Sequence, residues 1–213
     1  MIFQDRLEAA SLLLKKLNQY QNQNVVVAGI PRGAIPMAAL IAKNLGGELT
    51  AVLVRKISDP HDEEFAIGSL GLSGHIYLSP WAKVNTDQET LAHAIAKERE
   101  VLHERKRRYG LKAPHYKGRT VIIVDDGIAT GATTLSAVKE VRTWGARKIV
   151  LAVPVASKEA ASLLSREVDE LIVLTLPDFM GSVGEFYLRF PQVNDEEVER
   201  LLRGSNHSSL ELF

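Results

Sequence analysis

Thr120-Val-Ile-Ile-Val-Asp-Asp-Gly-Ile-Ala-Thr-Gly-Ala-Thr-Thr134 is the stretch whose reading decides the fold. Its first five residues are mostly β-branched and apolar, with no alternation, as in a strand covered on both faces. Apolar residues return at helical spacing after Gly131, which predicts a helix over 131–144. A buried strand that passes through a short loop into a helix is half of a βαβ unit, and such units build parallel sheets. The loop then lies at the carboxyl end of a strand, the edge where open α/β sheets bind ligands. Free amides and the dipole at the start of the next helix favour an anion there. Thr130, Gly131, Ala132 and Thr133 suit a phosphate cradle: glycine lets the backbone come close, while hydroxyl and N–H groups donate. Asp125 and Asp126 repel an anion. They suit sugar hydroxyls, a metal or a developing positive charge on the same ligand. The alternative is a plain turn at Asp-Asp-Gly followed by an ordinary helix cap.

The same alternation runs outward from this stretch. Asp5 to Tyr20, with leucines at 7, 13, 14 and 17, reads as an amphipathic helix. Val25 to Ala28 reads as a buried strand. A helix from Ala34 to Leu45 follows, with Pro36 in its first turn and Gly46-Gly47 at its end. Leu49 to Val54 is expected to be the next strand, and the polar, aperiodic 56–64 a mobile surface loop. Phe65–Leu70 and His75–Leu78 flank Gly-Leu-Ser-Gly and suggest a hairpin. A long charged helix is expected over 90–109, then strand 148–155, helix 157–166 and strand 170–176. Asn194-Asp-Glu-Glu197 reads as an N-cap with an acidic first turn, opening a last helix to Leu202. The fold class expected is α/β: an open, mostly parallel sheet flanked by helices, with a small hairpin elaboration. Residues 1–203 are expected to form one domain and the serine-rich 204–213 a frayed tail.

Among 213 residues, Lys plus Arg and Asp plus Glu both number 26, which argues against a nucleic-acid surface. No cysteine is present, so disulfide and thiolate chemistry are excluded. The amino terminus has no apolar signal core, and the longest apolar runs are far too short for a membrane span. A soluble, cytoplasmic protein with no nucleic-acid or membrane partner is the expectation.

Gly29-Ile-Pro-Arg-Gly-Ala-Ile-Pro36 repeats the strand, tight turn and helix, with Arg32 and Gly33 in the turn. Arg32 suits a diphosphate held bidentately, although it could simply tie down its own loop. Arg55 and Lys56 place two cations at the expected end of the next strand; a solvated basic pair is the other reading. Lys97 to Arg108 holds six basic and three acidic residues, which an exposed helix face explains better than RNA binding. The six histidines show no metal-ligand spacing, and no all-protein metal site is expected. Phe179, Phe186 and Tyr187 follow the last expected strand and suit stacking on a flat acceptor or, more simply, core or lid packing.

The acid-pair stretch resembles the phosphoribosyl diphosphate (PRPP) loop of the type I phosphoribosyltransferases: an apolar strand, two acids, small residues and Thr-Gly-x-Thr. The Gly29–Pro36 loop resembles that family's pyrophosphate loop. Further segments are similar to a group of bacterial phosphoribosyltransferases: Arg55-Lys-Ile57, Glu64-Phe-Ala-Ile-Gly68, Ala152-Val-Pro-Val155 and Phe190-Pro-Gln-Val-Asn-Asp-Glu-Glu-Val198. The resemblance implies a type I fold with a twisted sheet and a hood, a homodimer, Mg2+ as cofactor, and transfer of 5-phosphoribosyl from PRPP to a nitrogenous base with release of diphosphate. It implies Asp125 and Asp126 as catalytic, Ala129, Thr130, Gly131, Ala132, Thr133 and Thr134 on the 5-phosphate, and Arg32, Gly33, Arg55 and Lys56 on the diphosphate. Enzymes acting on 6-oxopurines carry an acid where this chain has Ala129, which argues against hypoxanthine or guanine. A PRPP- or nucleotide-binding regulator without turnover is the rival. A PRPP-making enzyme would need an ATP site, for which no segment is evident.

Overall fold

A computed structural model of the chain describes residues 1–59, 62–79, 81–82, 86–113 and 115–207. Five strands form a parallel sheet: β1 Val26–Gly29, β2 Glu48–Ala51, β6 Thr120–Val124, β7 Lys148–Val155 and β8 Glu170–Thr175, in the order β2-β1-β6-β7-β8. Between β1 and β6 the direction of winding reverses, which makes the crevice beyond their carboxyl ends the expected ligand position. Gly29 lies level with Val124 across that pair, so the loops after β1 and β6 leave the sheet side by side.

Strand periodicity sorts the side chains onto two faces. Val27, Ile122, Val124, Val150 and Ala152 pack in one cluster with α1 (Arg6–Leu17) and α2 (Ile35–Leu45). Val26, Ala28, Val121, Ile123, Ile149 and Leu151 pack in another with α4 (Ala132–Thr143) and α5 (Lys158–Leu164). Both faces are therefore covered, as the unbroken burial of β6 requires. Pro36 sits in the first turn of α2, and Gly46 closes that helix at φ +65°, the left-handed region that glycine enters without cost.

A second sheet, the hood, is antiparallel: β3 Val54–Asp59, β4 Asp62–Gly71 and β5 Ile76–Leu78, in that order. Helix α3, Gln88–Arg108, packs on it. Two expectations are corrected here. The run read as one strand over 49–54 is two: β2 ends at Ala51, and Val54 already belongs to the other sheet. Residues 56–59 and 62–64 are not a surface loop but parts of the β3–β4 ladder, in which Asp59 pairs with Asp62. Ile57 and Asp59 are the buried positions of β3, so a buried acid stands where an apolar residue would have revealed the alternation.

The hood is fastened to α4. Ser136 Oγ donates to Ser69 Oγ at 2.8 Å, and the buried Glu140 accepts from the Ser73 N–H at 2.6 Å, the Ser73 hydroxyl and Trp144 Nε1 at 2.8 Å. The last helix, α6, runs Asp195–His207, beyond the expected end at Leu202 and into the expected tail. Residues 208–213 of the expected tail lie outside the described residues. Among the described residues no helix is long and apolar enough to cross a membrane.

Candidate active site

The loop after β6 carries Asp125 and Asp126, and each carboxylate is held differently. Asp125 accepts from Thr134 Oγ1 at 2.9 Å and from the Asp126 N–H at 2.9 Å. Burial, and after it the neighbouring Asp126, pushes the Asp125 carboxyl well above the usual range. Asp126 is also pushed up by burial, against the opposing pull of Arg6. Sequence reading misses that arginine. It opens α1, yet its Nε and Nη2 lie 2.9 and 2.8 Å from Asp126 Oδ2, and Nη1 donates to the Pro191 carbonyl at 2.7 Å. Its guanidinium lies 3.7 Å over the Phe190 ring. One signal is present in the sequence: a cation at the first position of a helix opposes the dipole and needs another reason to be there.

The N-terminal segment reaches this place because it pairs with 186–189. Phe3 N–H donates to Phe186 O and Leu188 N–H to Phe3 O, both at 2.8 Å. Tyr187 donates its hydroxyl to the Asp126 carbonyl at 2.6 Å and stacks on Phe190 at 4.7 Å. Tyr187 is thus buried packing and Phe186 packs against the core, whereas Phe179 is 83 % exposed.

The phosphate-type loop is open where an anion would enter. Gly131 caps α4 at φ +80°, no side chain caps the helix, and its first backbone bond inside the turn runs from the Leu135 N–H to Gly131 O. The amides of Ala132, Thr133 and Thr134 precede that bond and have no partner within the helix. Ala129, Thr130, Ala132 and Thr133 are exposed. Ser157 Oγ ties the Ala129 carbonyl at 2.7 Å. Thr134 departs from expectation: its hydroxyl is buried against Asp125, so only its amide faces the cradle.

The loop after β1 meets this one. A Cβ on Gly33 would lie 1.9 Å from Asp126 Oδ2, so only glycine permits the approach. The Pro31–Arg32 peptide is cis. Arg32 turns to Asp195 Oδ2 at 3.4 Å, beside Arg108 at 3.4 Å and the Tyr109 hydroxyl on the same carboxylate. That Tyr109 hydrogen bond, with help from the two arginines, holds Asp195 below the usual carboxylate range, while burial and Asp195 push the Tyr109 hydroxyl up to about 12. In the sequence Asp195 shows only as part of a helix start.

Arg55 and Lys56 do not stand at the end of the next parallel strand as expected. They lie inside β3 rather than at the end of a parallel strand, and successive strand residues face opposite ways. Arg55 Nε pairs with Glu98 of α3 at 2.6 Å, while Lys56 lies level with Ser69, which bonds to α4.

Known proteins share this arrangement of sequence and fold. The sequence model described as "Phosphoribosyl transferase domain" matches residues 3–189. A Mycobacterium tuberculosis protein, present in two strains and provisionally named a phosphoribosyl transferase, is 35% identical over 205 residues. The match covers 94% of this chain and 46% of the relative, so the chain spans about half the length of the curated proteins it matches. A crystal structure of a Thermus thermophilus protein is 42% identical with a TM-score of 0.84, covering 95% of this chain and 98% of that one.

Proposed function

The chain belongs to the phosphoribosyl transferase domain family, and on that premise we propose that it uses PRPP to transfer 5-phosphoribosyl to a nitrogenous base. The bond from C1 to diphosphate breaks, a bond from C1 to a base nitrogen forms, and the base gives up a proton. One observation carries this reading: the loops after β1 and β6 meet at the point where the sheet reverses, with Gly33 against Asp126.

In this scheme the amides of Ala132, Thr133 and Thr134, the hydroxyls of Thr130 and Thr133, and the turn at Ala129–Gly131 take the 5-phosphate. Asp125 and Asp126 accept from the ribose 2- and 3-hydroxyls and favour positive charge on the ring as the leaving group departs. Hydrogen bonds to charged groups of this kind contribute about 1.5–3 kcal/mol. Arg32 and the Gly33 turn stabilise the diphosphate, Arg32 exchanging the long contact with Asp195 for the anion. Lys56 and Arg55 would reach the diphosphate only from the hood, and Arg55 only by leaving Glu98.

Magnesium would be held together with PRPP, keeping a largely hydrated shell, so a dedicated protein cage is not required. Bound with the substrate, it would neutralise the diphosphate oxygens. The test follows diphosphate after mixing the protein with PRPP, magnesium and a panel of nucleobases. Release with one base names the acceptor. Tight PRPP binding without release would make the protein a regulator, and failure to bind PRPP would overturn the reading.

A further inference from the structure

Asp126 has two carboxylate oxygens with different fates. Oδ2 receives both Arg6 contacts, and no hydrogen bond from another residue reaches Oδ1 among the described residues. The side chain is 16 % exposed, so it keeps a narrow opening, while Arg6 is 10 % exposed and donates from its third nitrogen, Nη1, to the Pro191 carbonyl. Phe190 covers the guanidinium face. The groups around the carboxylate are Arg6, Asp125 before it, the Tyr187 hydroxyl on its own carbonyl, and the bare backbone of Gly33. Arg6 is the opposite charge among them in hydrogen-bond contact.

We propose that Arg6 is a positioning residue of the ribose site: by occupying Asp126 Oδ2 it fixes the carboxylate so that Oδ1 is presented to a sugar hydroxyl. Three observations support the assignment. Two nitrogens converge on one oxygen, which locates Oδ2 and not merely the charge of the carboxylate. The arginine is buried and tied at a third point, so it cannot itself swing out to an anion. Gly33 lies where any side chain would enter this contact, its Cβ position being 3.1 Å from Arg6 Nη2. A buried carboxylate deprived of its partner takes up a proton, and its oxygen then no longer accepts in the same way. The effect of Arg6 should therefore be specific to hydroxyl-bearing ligands.

This inference rests on the ribose reading of Asp126, and the experiment separates the two. Calorimetry compares ribose 5-phosphate with its 2-deoxy and 3-deoxy analogues, with magnesium and PRPP as the control ligand, on wild type, Arg6→Gln, Arg6→Lys, Asp126→Asn and Arg6→Gln/Asp126→Asn. Wild type should prefer ribose 5-phosphate over one deoxy analogue by about 10- to 100-fold, the range expected of a charged hydrogen bond. Arg6→Gln should erase most of that preference while binding the deoxy analogue as wild type does. Arg6→Lys should fall between them, and alone decides if Arg6→Gln does not fold. In the double variant the preference should match that of Asp126→Asn. Undiminished preference in either Arg6 variant, an equal loss for every sugar phosphate, or a double variant weaker than Asp126→Asn would overturn the role of Arg6. If wild type binds PRPP but does not distinguish the sugars, the inference also falls. Wild type that does not bind PRPP removes the functional reading first.

Discussion

Glu140 in the helix that carries the hood is buried and Asp126 at the rim of the parallel sheet is half-buried, and the hydrogen-bonding capacity of these two acids is filled differently. Glu140 takes two donors from Ser73 and one from Trp144, all supplied by the fold. Asp126 has one oxygen filled by Arg6, and among the described residues no other residue donates to the second. A saturated buried acid joins two elements, whereas one with an unused lone pair is equipped for something the chain does not contain. The hood is thus fastened by complete side chains, and the rim is held ready by incomplete ones.

The contrast breaks most directly at Asp126. Asp126→Asn should lower diphosphate release by about 10²–10³-fold while the protein still melts cooperatively, and wild-type turnover would remove the distinction. Glu140→Leu attacks the other side: it strands the Ser73 and Trp144 donors and should cost about 3 kcal/mol in urea unfolding, with PRPP affinity unchanged once the protein is folded. A loss of affinity without a loss of stability would make Glu140 part of the site.

Asp125 sharpens the comparison through pH. Its carboxyl is raised in the folded chain, so the folded state binds more protons than the unfolded one. The contribution of Asp125 to the stability of the ligand-free protein should therefore be fully present below the unfolded value near about 4, and fall as pH rises through the raised value. Asp125→Asn should flatten that fall and raise the melting temperature at pH 8 by about 2–4 °C for each kcal/mol relieved. A melting curve with unchanged pH dependence would count against the burial argument. The smallest effect is expected in the hood: Arg55→Met, which removes a partly exposed pair with Glu98, should change stability by about 0.5 kcal/mol. A loss of PRPP affinity above tenfold in that variant, with ribose 5-phosphate unaffected, would return Arg55 to the diphosphate.

The parallel sheet is readable because its strands are apolar throughout and its helices carry their own punctuation. Val121 to Val124 announce a strand covered on both faces, and Pro36 and Gly46 mark the limits of α2. Asp125, Asp126 and the Thr130–Thr133 turn are legible for the same local reason. The hood is not. Asp59 holds an inward position in β3, which hides the alternation, and Ala51 to Val54 give no sign that the chain changes sheets. Arg6 and Asp195 escape because their partners lie far along the chain, 120 and 163 residues away. Periodicity within a window carries no information about such pairs.

That distance also bears on how the molecule acquires and loses its grip. Gly29 and Val124 are joined by a chain segment that contains the whole hood, so bringing the two jaws level restrains a long loop and is expected to come late in folding. Contacts that form after the folding barrier leave the refolding rate nearly unchanged and slow escape from the native state. A saturating sugar phosphate should accordingly act as a brake on unfolding rather than as a template for assembly.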